Sequence, residues 1–256
     1  MDKVELIKKI KAGMEFEYLF FWENQPSKRG SVGESCLSQW FPAEFTVDGI
    51  VYHCAEQYMM AEKARYFRDK ETTEAILQST SPKKIKELGR KVRNFNTERW
   101  NSVKMDIVTT GNIYKFMQNK LLRNFLLSTE DKVLVEASPY DCIWGIGLPK
   151  ENPDASDPVL WQGENLLGFA LMTVRHYVKN LQLNRRLAAL IANLPDRPEA
   201  TIEYFVPDDR KSGGAYVTVT GRVRHISVPE KTLVMEDGTV IGFEDIAAIS
   251  GFQFEI

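Results

Sequence analysis

Residues 54–68 read Cys54-Ala-Glu56-Gln-Tyr-Met-Met-Ala-Glu-Lys63-Ala-Arg-Tyr-Phe-Arg68, and here the chain changes character. Met59, Met60, Ala61 and Ala64 supply an apolar helical face, so the segment is expected to form a helix packed against the protein rather than free in solvent. Upstream, residues 16–21 and 45–52 are aromatic and β-branched, broken by Gly30, Gly33 and Asp48-Gly49, which predicts short strands and loops. Downstream, helical patterns follow at 82–93, 97–118 and 119–127, then a β-like stretch at 132–137 and a helix over 165–180. The fold class expected is α+β, mainly helical.

Working outward, Val4, Ile7 and Ile10 form a short amphipathic helix in a flank over residues 1–14. The Pro/Asp-rich loop at 149–158 is a candidate lid. Residues 181–200 carry an apolar helical stretch that Leu194-Pro-Asp-Arg-Pro198 ends, marking a linker. Residues 201–256 alternate like short strands, with turn signals at Gly213-Gly214, Gly221, Pro229-Glu230 and Asp237-Gly238, as in a small β-barrel. The expected organisation is a main domain at 15–180, a helical linker at 181–200 and a barrel at 201–256.

Composition bounds the function. With 43% hydrophobic and 11% aromatic residues in 256, the chain can bury a sizeable core. Its net charge of -2 gives no general pull toward nucleic acid or anionic membrane, so a polyanion would need a local basic patch. Apolar runs stop well short of the ~20 residues that span a bilayer, and the first residues mix acids with bases instead of forming a secretory signal. The expectation is a cytoplasmic protein without membrane association. Three cysteines without Cys-x-x-Cys spacing point to reduced thiols, and neither a metal nor a cofactor is expected.

Three clusters carry polar chemistry. Glu56 and Lys63 are seven residues apart, which puts an acid and a base on one helix face about 10 Å apart along the axis; a surface salt network is the alternative. Glu136-Ala-Ser-Pro-Tyr-Asp141-Cys-Ile-Trp144-Gly145-Ile-Gly147 sets a carboxylate and a Trp among glycines. There a ring can stack on a base or sugar, a carboxylate can bond a hydroxyl, and glycine lets backbone approach a ligand; the alternative is a buried Trp in a glycine turn. Lys83, Lys84, Lys86, Arg90, Lys91 and Arg93 could meet phosphate, with Lys86 and Arg90 as i, i+4 neighbours, or simply form a solvated face.

Phe21-Trp22, Leu37-Ser38-Gln39-Trp40-Phe41-Pro42, Glu56-Gln-Tyr-Met-Met-Ala-Glu-Lys63-Ala64 and Phe67-Arg-Asp69 occur in order, followed by Leu88-Gly89-Arg90, Trp100, Lys115-Phe116-x-Gln118-Asn119, Leu127-Ser-Thr129, Asp141-x-x-Trp144-Gly-Ile-Gly147 and Gly163-x-Asn165-Leu-Leu-Gly168 through Met172 and Arg175. The ordered series resembles the NADAR, or YbiA-like, family over residues 15–180. The resemblance implies a mainly helical enzyme that cleaves N-glycosidic bonds. Its substrates would be phosphoribosylated aminopyrimidine intermediates of riboflavin synthesis or ADP-ribose attached to guanine, with nucleic acid entering only as the carrier of a modified base.

The resemblance also implies a catalytic set of Glu56, Lys63 and Asp141. The substrate-binding set would be Trp22, Lys86, Arg90, Trp100, Trp144, Gly145, Asn165 and Arg175. Gln39 stands where the family more often has Asn. Such cleavage builds positive charge on the ribose carbon and negative charge on the departing base, so a carboxylate (Glu56) and a proton donor are needed. Lys63 would serve either as an electrostatic group or as a Schiff-base amine of lowered pKa. The competing expectations are a module that only binds ADP-ribose or a nucleotide, and an interaction scaffold. Residues 217–246 resemble the SH3-like barrel of YolD-like proteins, which implies protein binding or substrate placement, with structural support as the alternative.

Overall fold

The Asp48-Gly49 pair makes a two-residue hairpin turn, both residues having positive φ (49° and 79°), as the turn type matching strand twist requires. It joins β2 (Phe45–Val47) to β3 (Ile50–Tyr52), which pair antiparallel. The chain then enters α2 (Ala55–Tyr66), preceded in sequence by α1 (Lys3–Lys11) and β1 (Tyr18–Phe21). The computed structural model describes residues 1–22, 32–208 and 213–251, so the expected break at Gly30 lies outside the described residues. The chain divides into two compact units, Met1–Val178 and Lys179–Ile256.

In the first unit α2 is followed by α3 (Lys70–Leu77), α4 (Pro82–Arg90), α5 (Thr97–Asn101), α6 (Lys104–Gln118) and α7 (Lys120–Ser128). Local chemistry sets their starts. Asp69, Ser81 and Asn96 each accept a hydrogen bond from the backbone N–H three residues on, and Pro82 follows its cap directly. The pattern at 97–118 predicts one helix, but there are two: the Ser102 hydroxyl donates to the Arg99 carbonyl and closes the first turn locally. Helix α3 escapes the periodicity because it is short, carries two threonines, and buries only Thr73 and Ile76.

β1 pairs in parallel with β4 (Val133–Glu136), in the register Tyr18↔Val133 to Phe21↔Glu136. Val133, Leu134 and Val135 are all buried, as expected of a strand covered on both faces. Parallel pairing brings the C-terminal ends of both strands, and therefore Trp22 and the loop after Glu136, to one edge. The 149–158 loop is tied down: Ala155 is buried and its carbonyl accepts from Trp161 Nε1 at 2.7 Å.

The last helix, α8 (Leu166–Ala192), has 27 residues, where the sequence suggests a break near 180. No Gly or Pro occurs between Gly168 and Pro195 to interrupt it. In the second unit β5 (Glu199–Pro207), β6 (Gly214–Ser227), β7 (Thr232–Met235), β8 (Val240–Gly242) and β9 (Ile246–Ser250) form an antiparallel sheet of order β8-β7-β6-β5-β9. β6 pairs with β5 through Gly214–Arg222 and with β7 through Val223–Ser227, and it bulges between Val223 and His225. One bent strand thus serves both halves of a small barrel-like sheet. Gly221, expected at a turn, lies within β6 just before this bend. Among the described residues no helix is long and apolar enough to cross a membrane.

Candidate active site

The loop leaving β4 is organised by Asp141, whose Oδ1 accepts from the N–H groups of Ile143 (2.8 Å) and Trp144 (2.7 Å). The chain then folds back, so that Ile146 N donates to the Glu136 carbonyl and Gly147 N to the Asp141 carbonyl. Gly145 has no room for a side chain: a Cβ there would lie 2.8 Å from the Glu136 oxygen and 3.0 Å from that of Asp141. Asn165, fully buried with φ of 54°, locks this arrangement. Its Nδ2 donates to the Leu134 carbonyl, its Oδ1 accepts from Glu136 N, and its own N–H donates to the Gly145 carbonyl.

Glu56 enters from the first turn of α2, with its N–H donating to the Gln39 carbonyl. Only 7% of the residue is exposed. Burial pushes its carboxyl pKa up to about 8; Lys86 opposes the rise, Asp141 adds to it, and Lys63 opposes it. Glu136, at the end of β4, is likewise pushed up to about 8 by burial, with the charges of Asp141 and Glu56 adding to the effect. Glu56, Glu136 and Asp141 therefore lie within electrostatic reach of one another. Among the described residues Glu136 Oε2 is buried without a hydrogen-bond partner.

Lys63, in the last turn of α2, is half-buried and donates to the Gly89 carbonyl at 2.8 Å. That carbonyl belongs to the C-terminal turn of α4, where the helix dipole favours a cation. The ammonium lies 4.3 Å from the centre of the Phe95 ring and 5.7 Å from that of Trp100. Burial lowers its pKa and Glu56 opposes the fall. Lys86 and Arg90 are exposed on α4, whereas Arg93 is paired with Asp69 and Glu71.

Trp22, 47% exposed, stands 6.1 Å from the ring of Tyr140, which is 86% exposed. Trp100 and Trp144 are partly buried against the core that contains Phe21 and Met59. Of the residues expected at the site, Glu56, Lys63, Asp141, Lys86, Trp100 and Trp144 converge through these contacts and fields, and Trp22 flanks them. Gly145 and Asn165 form the frame. Arg175 is occupied at the end of α7, donating from Nη1 to the Thr129 hydroxyl at 2.7 Å.

Sequence reasoning gave no role to Glu136 and passed over Phe95. A carboxylate closing the buried run Val133-Leu-Val, and an aromatic between two asparagines, were the signals available. Among the described residues no three His, Cys, Asp or Glu side chains are grouped to hold a metal ion.

Residues 20–179 match the model of the NADAR domain. N-glycosidase R617 of Acanthamoeba polyphaga mimivirus is 44% identical over 164 residues, which cover 62% of this chain and 95% of that protein. The riboflavin biosynthesis protein VVA0006 of Vibrio vulnificus is 30% identical over 139 residues, 54% of this chain and 34% of that protein. The NMR structure of Escherichia coli YbiA superposes with a TM-score of 0.54 at 26% identity, covering 66% of this chain and 89% of that one; curated YbiA from the same organism is named an N-glycosidase. The chain is therefore a glycosidase-type enzyme and belongs to the NADAR domain family.

Proposed function

We propose that the enzyme hydrolyses the N-glycosidic bond between a phosphorylated ribose and a nitrogenous base. The observation that carries this reading is Glu56, a buried carboxyl in the fields of Asp141, Lys63 and Lys86, with Trp100 and Trp144 packed partly buried against the core that holds Met59 of the same helix. A carboxyl with a pKa near 8 is mostly protonated at neutral pH. It can give its proton to the departing base and remain as the anion that opposes positive charge on the ribose carbon. Asp141, whose Oδ1 is fixed by two backbone N–H groups, is suited to a ribose hydroxyl.

Trp22 and Tyr140 offer exposed rings for the base, and Lys86 and Arg90 offer exposed cations for phosphate. Lys63 is prepared for either of its expected roles. Burial lowers its pKa as a Schiff-base amine requires, while Gly89 and the Phe95 ring hold the charged form. Arg175, engaged with Thr129, is better suited to support than to substrate contact.

Two substrate classes share the chemistry: aminopyrimidine ribosyl phosphates, favoured by the printed name of the Vibrio relative, and ADP-ribose on guanine. A module that only binds nucleotide has no use for buried carboxyls at the glycosidic bond, since burying them is costly. For residues 201–256 we propose protein binding or substrate placement. The deciding experiment incubates purified enzyme with each substrate and follows free base and free ribosyl product; absence of either product from both would overturn the reading.

A further inference from the structure

The motif Lys115-Phe116-x-Gln118-Asn119 at the end of α6 has no part in the scheme above, yet its lysine is fully buried. Burial lowers the Lys115 pKa to about 8, so an ammonium kept there works against stability. Its Nζ donates to the Ser38 carbonyl at 2.8 Å, with the Phe116 ring centre 5.1 Å away and that of Phe41 5.9 Å away. An apolar side chain of similar length would fill this space without burying a charge. What the charge holds is the Ser38 carbonyl.

Ser38 begins a tight turn: Phe41 N donates to its carbonyl at 3.2 Å and Trp40 N to its hydroxyl at 3.3 Å. Gln39, buried inside this turn, accepts twice. Its carbonyl takes the N–H of Glu56 at 2.9 Å, and its Oε1 takes Asn112 Nδ2 at 2.8 Å. The first N–H groups of a helix have no partner within it, and Cys54, just before α2, makes no side-chain cap. The Gln39 carbonyl supplies that cap from a distant segment, at the residue that carries the buried carboxyl. Asn112 and Lys115 are i, i+3 neighbours on α6. Beyond them Asn119 Nδ2 donates to the Glu44 carbonyl, and the Gln118 side chain exchanges two hydrogen bonds with the backbone of Thr46. The end of α6 thus grips residues 38–46, and that segment holds the start of α2.

We propose that Lys115 is a positioning residue acting through Glu56: with Asn112 it fixes Ser38 and Gln39, and the Gln39 carbonyl in turn fixes the first turn of α2 and the carboxyl it carries. Each link in this chain is a covalent bond or a hydrogen bond of 2.8 to 2.9 Å. A bond donated by an ammonium is roughly twice as strong as one from a neutral donor, so the charge holds the turn more firmly than a hydroxyl or amide would. Firmness matters at a reacting carboxyl, where a misplacement of about 1 Å can cost on the order of a hundredfold in rate. Lys115 itself exchanges no proton with the substrate.

The catalytic use of this tether rests on the hydrolysis proposed above, but the tether can be read without substrate. Amide hydrogen exchange in the full-length protein would be followed by NMR for wild type, Lys115→Met and Asn112→Ala, with folding checked by circular dichroism. Lys115→Met should speed exchange of the Glu56 N–H about tenfold or more, while the N–H groups of Met59, Met60 and Ala61, which lie inside α2, stay within about twofold of wild type. Asn112→Ala removes the other tether on Gln39 and should do the same, so failure of one variant to fold leaves the other decisive. An unchanged Glu56 N–H, or equal acceleration along the whole of α2, overturns the proposal.

With whichever riboside wild type cleaves, Lys115→Met should lower kcat about tenfold and leave KM within about twofold. Introduced into E56Q, the same change should cost little further, because the carboxyl that it positions is already gone. Equal losses in the two backgrounds would make Lys115 merely structural and overturn the proposal. Selective exchange at Glu56 in a protein that cleaves no riboside would support the tether and overturn the hydrolytic reading alone.

Discussion

The two units bury very different chemistry. Among the described residues the core of the second, formed by Leu190, Ala200, Ile202, Val223, Ile226, Leu233, Met235, Ile241, Ile246 and Ile249, holds no buried polar or charged residue. The first unit buries Glu56, Gln57, Asn112, Lys115 and Asn165 along with its apolar residues. Burial of a charge without full compensation works against stability, so its presence asks for a reason. Some of these groups have a partner: Lys115, for example, donates to the Ser38 carbonyl at 2.8 Å. Among the described residues Glu136 Oε2 has no such partner, and an environment that perturbs the Glu56 and Glu136 pKa this strongly is the usual mark of a reaction site.

The largest effect expected from this contrast is on Glu56. Glu56→Gln keeps size and hydrogen bonding but removes both the proton and the charge, and should lower kcat/KM on the order of a hundredfold or more. Activity within about tenfold of wild type would move the reacting carboxyl elsewhere. Lys63→Met should follow with a loss of roughly tenfold to a hundredfold. Borohydride reduction during turnover separates the lysine's roles: an adduct of sugar mass on Lys63 means a Schiff base, and turnover without one means an electrostatic group.

What could be read in advance follows the same division. Helix α2 was legible because its apolar residues recur with helical spacing, and the Asp48-Gly49 hairpin because only a few residue pairs make that turn. The approach of Glu56 to Asp141 was legible only through family resemblance, since the two are 85 positions apart in the sequence. Glu136 was missed because the alternation of a strand says which face a side chain takes but not whether its oxygen will find a donor. Arg175 and Asn165 were expected as ligands through the family resemblance, and Thr129 and the backbone of β4 engage them. Polar residues that hold a site together have the same sequence signature as those that touch substrate.

Smaller effects sharpen the contrast. Arg90, exposed on α4, should act on binding: Arg90→Ala should raise KM about tenfold for a phosphorylated riboside while changing the dephosphorylated one little. Equal losses on both would assign the phosphate to Lys86.

Stability gives an independent check. Folding raises the Glu56 pKa from 4.5 to about 8, so its contribution is fully present below about pH 4.5 and is lost as pH rises toward 8. Glu56→Gln removes this loss. Its melting temperature should therefore gain on that of wild type between pH 5 and pH 9, by a few degrees at the alkaline end. A constant difference across that range would mean that the carboxyl is not penalised by the fold.

The smallest effect is expected from removing the second unit altogether. The cut matters more than the deletion. Ending the chain at Pro198 would leave Leu183, Leu187 and Leu190 stripped of the sheet residues they pack against. Ending it at Asn180 keeps Leu167, Ala170, Leu171, Val174 and Val178, the α8 residues buried in the main core of the first unit. The mimivirus relative, 95% of which is spanned by 164 aligned residues, already manages with little beyond this length. A chain of residues 1–180 should be soluble and should cleave a small riboside with kcat/KM within about threefold of the full chain, because Glu56, Glu136, Asp141 and the Asn165 frame all lie before that point. A larger fall with the fold intact, judged by an unchanged circular dichroism melt, would show that the apolar unit takes part in the reaction, and the contrast between the two cores would then no longer locate the chemistry.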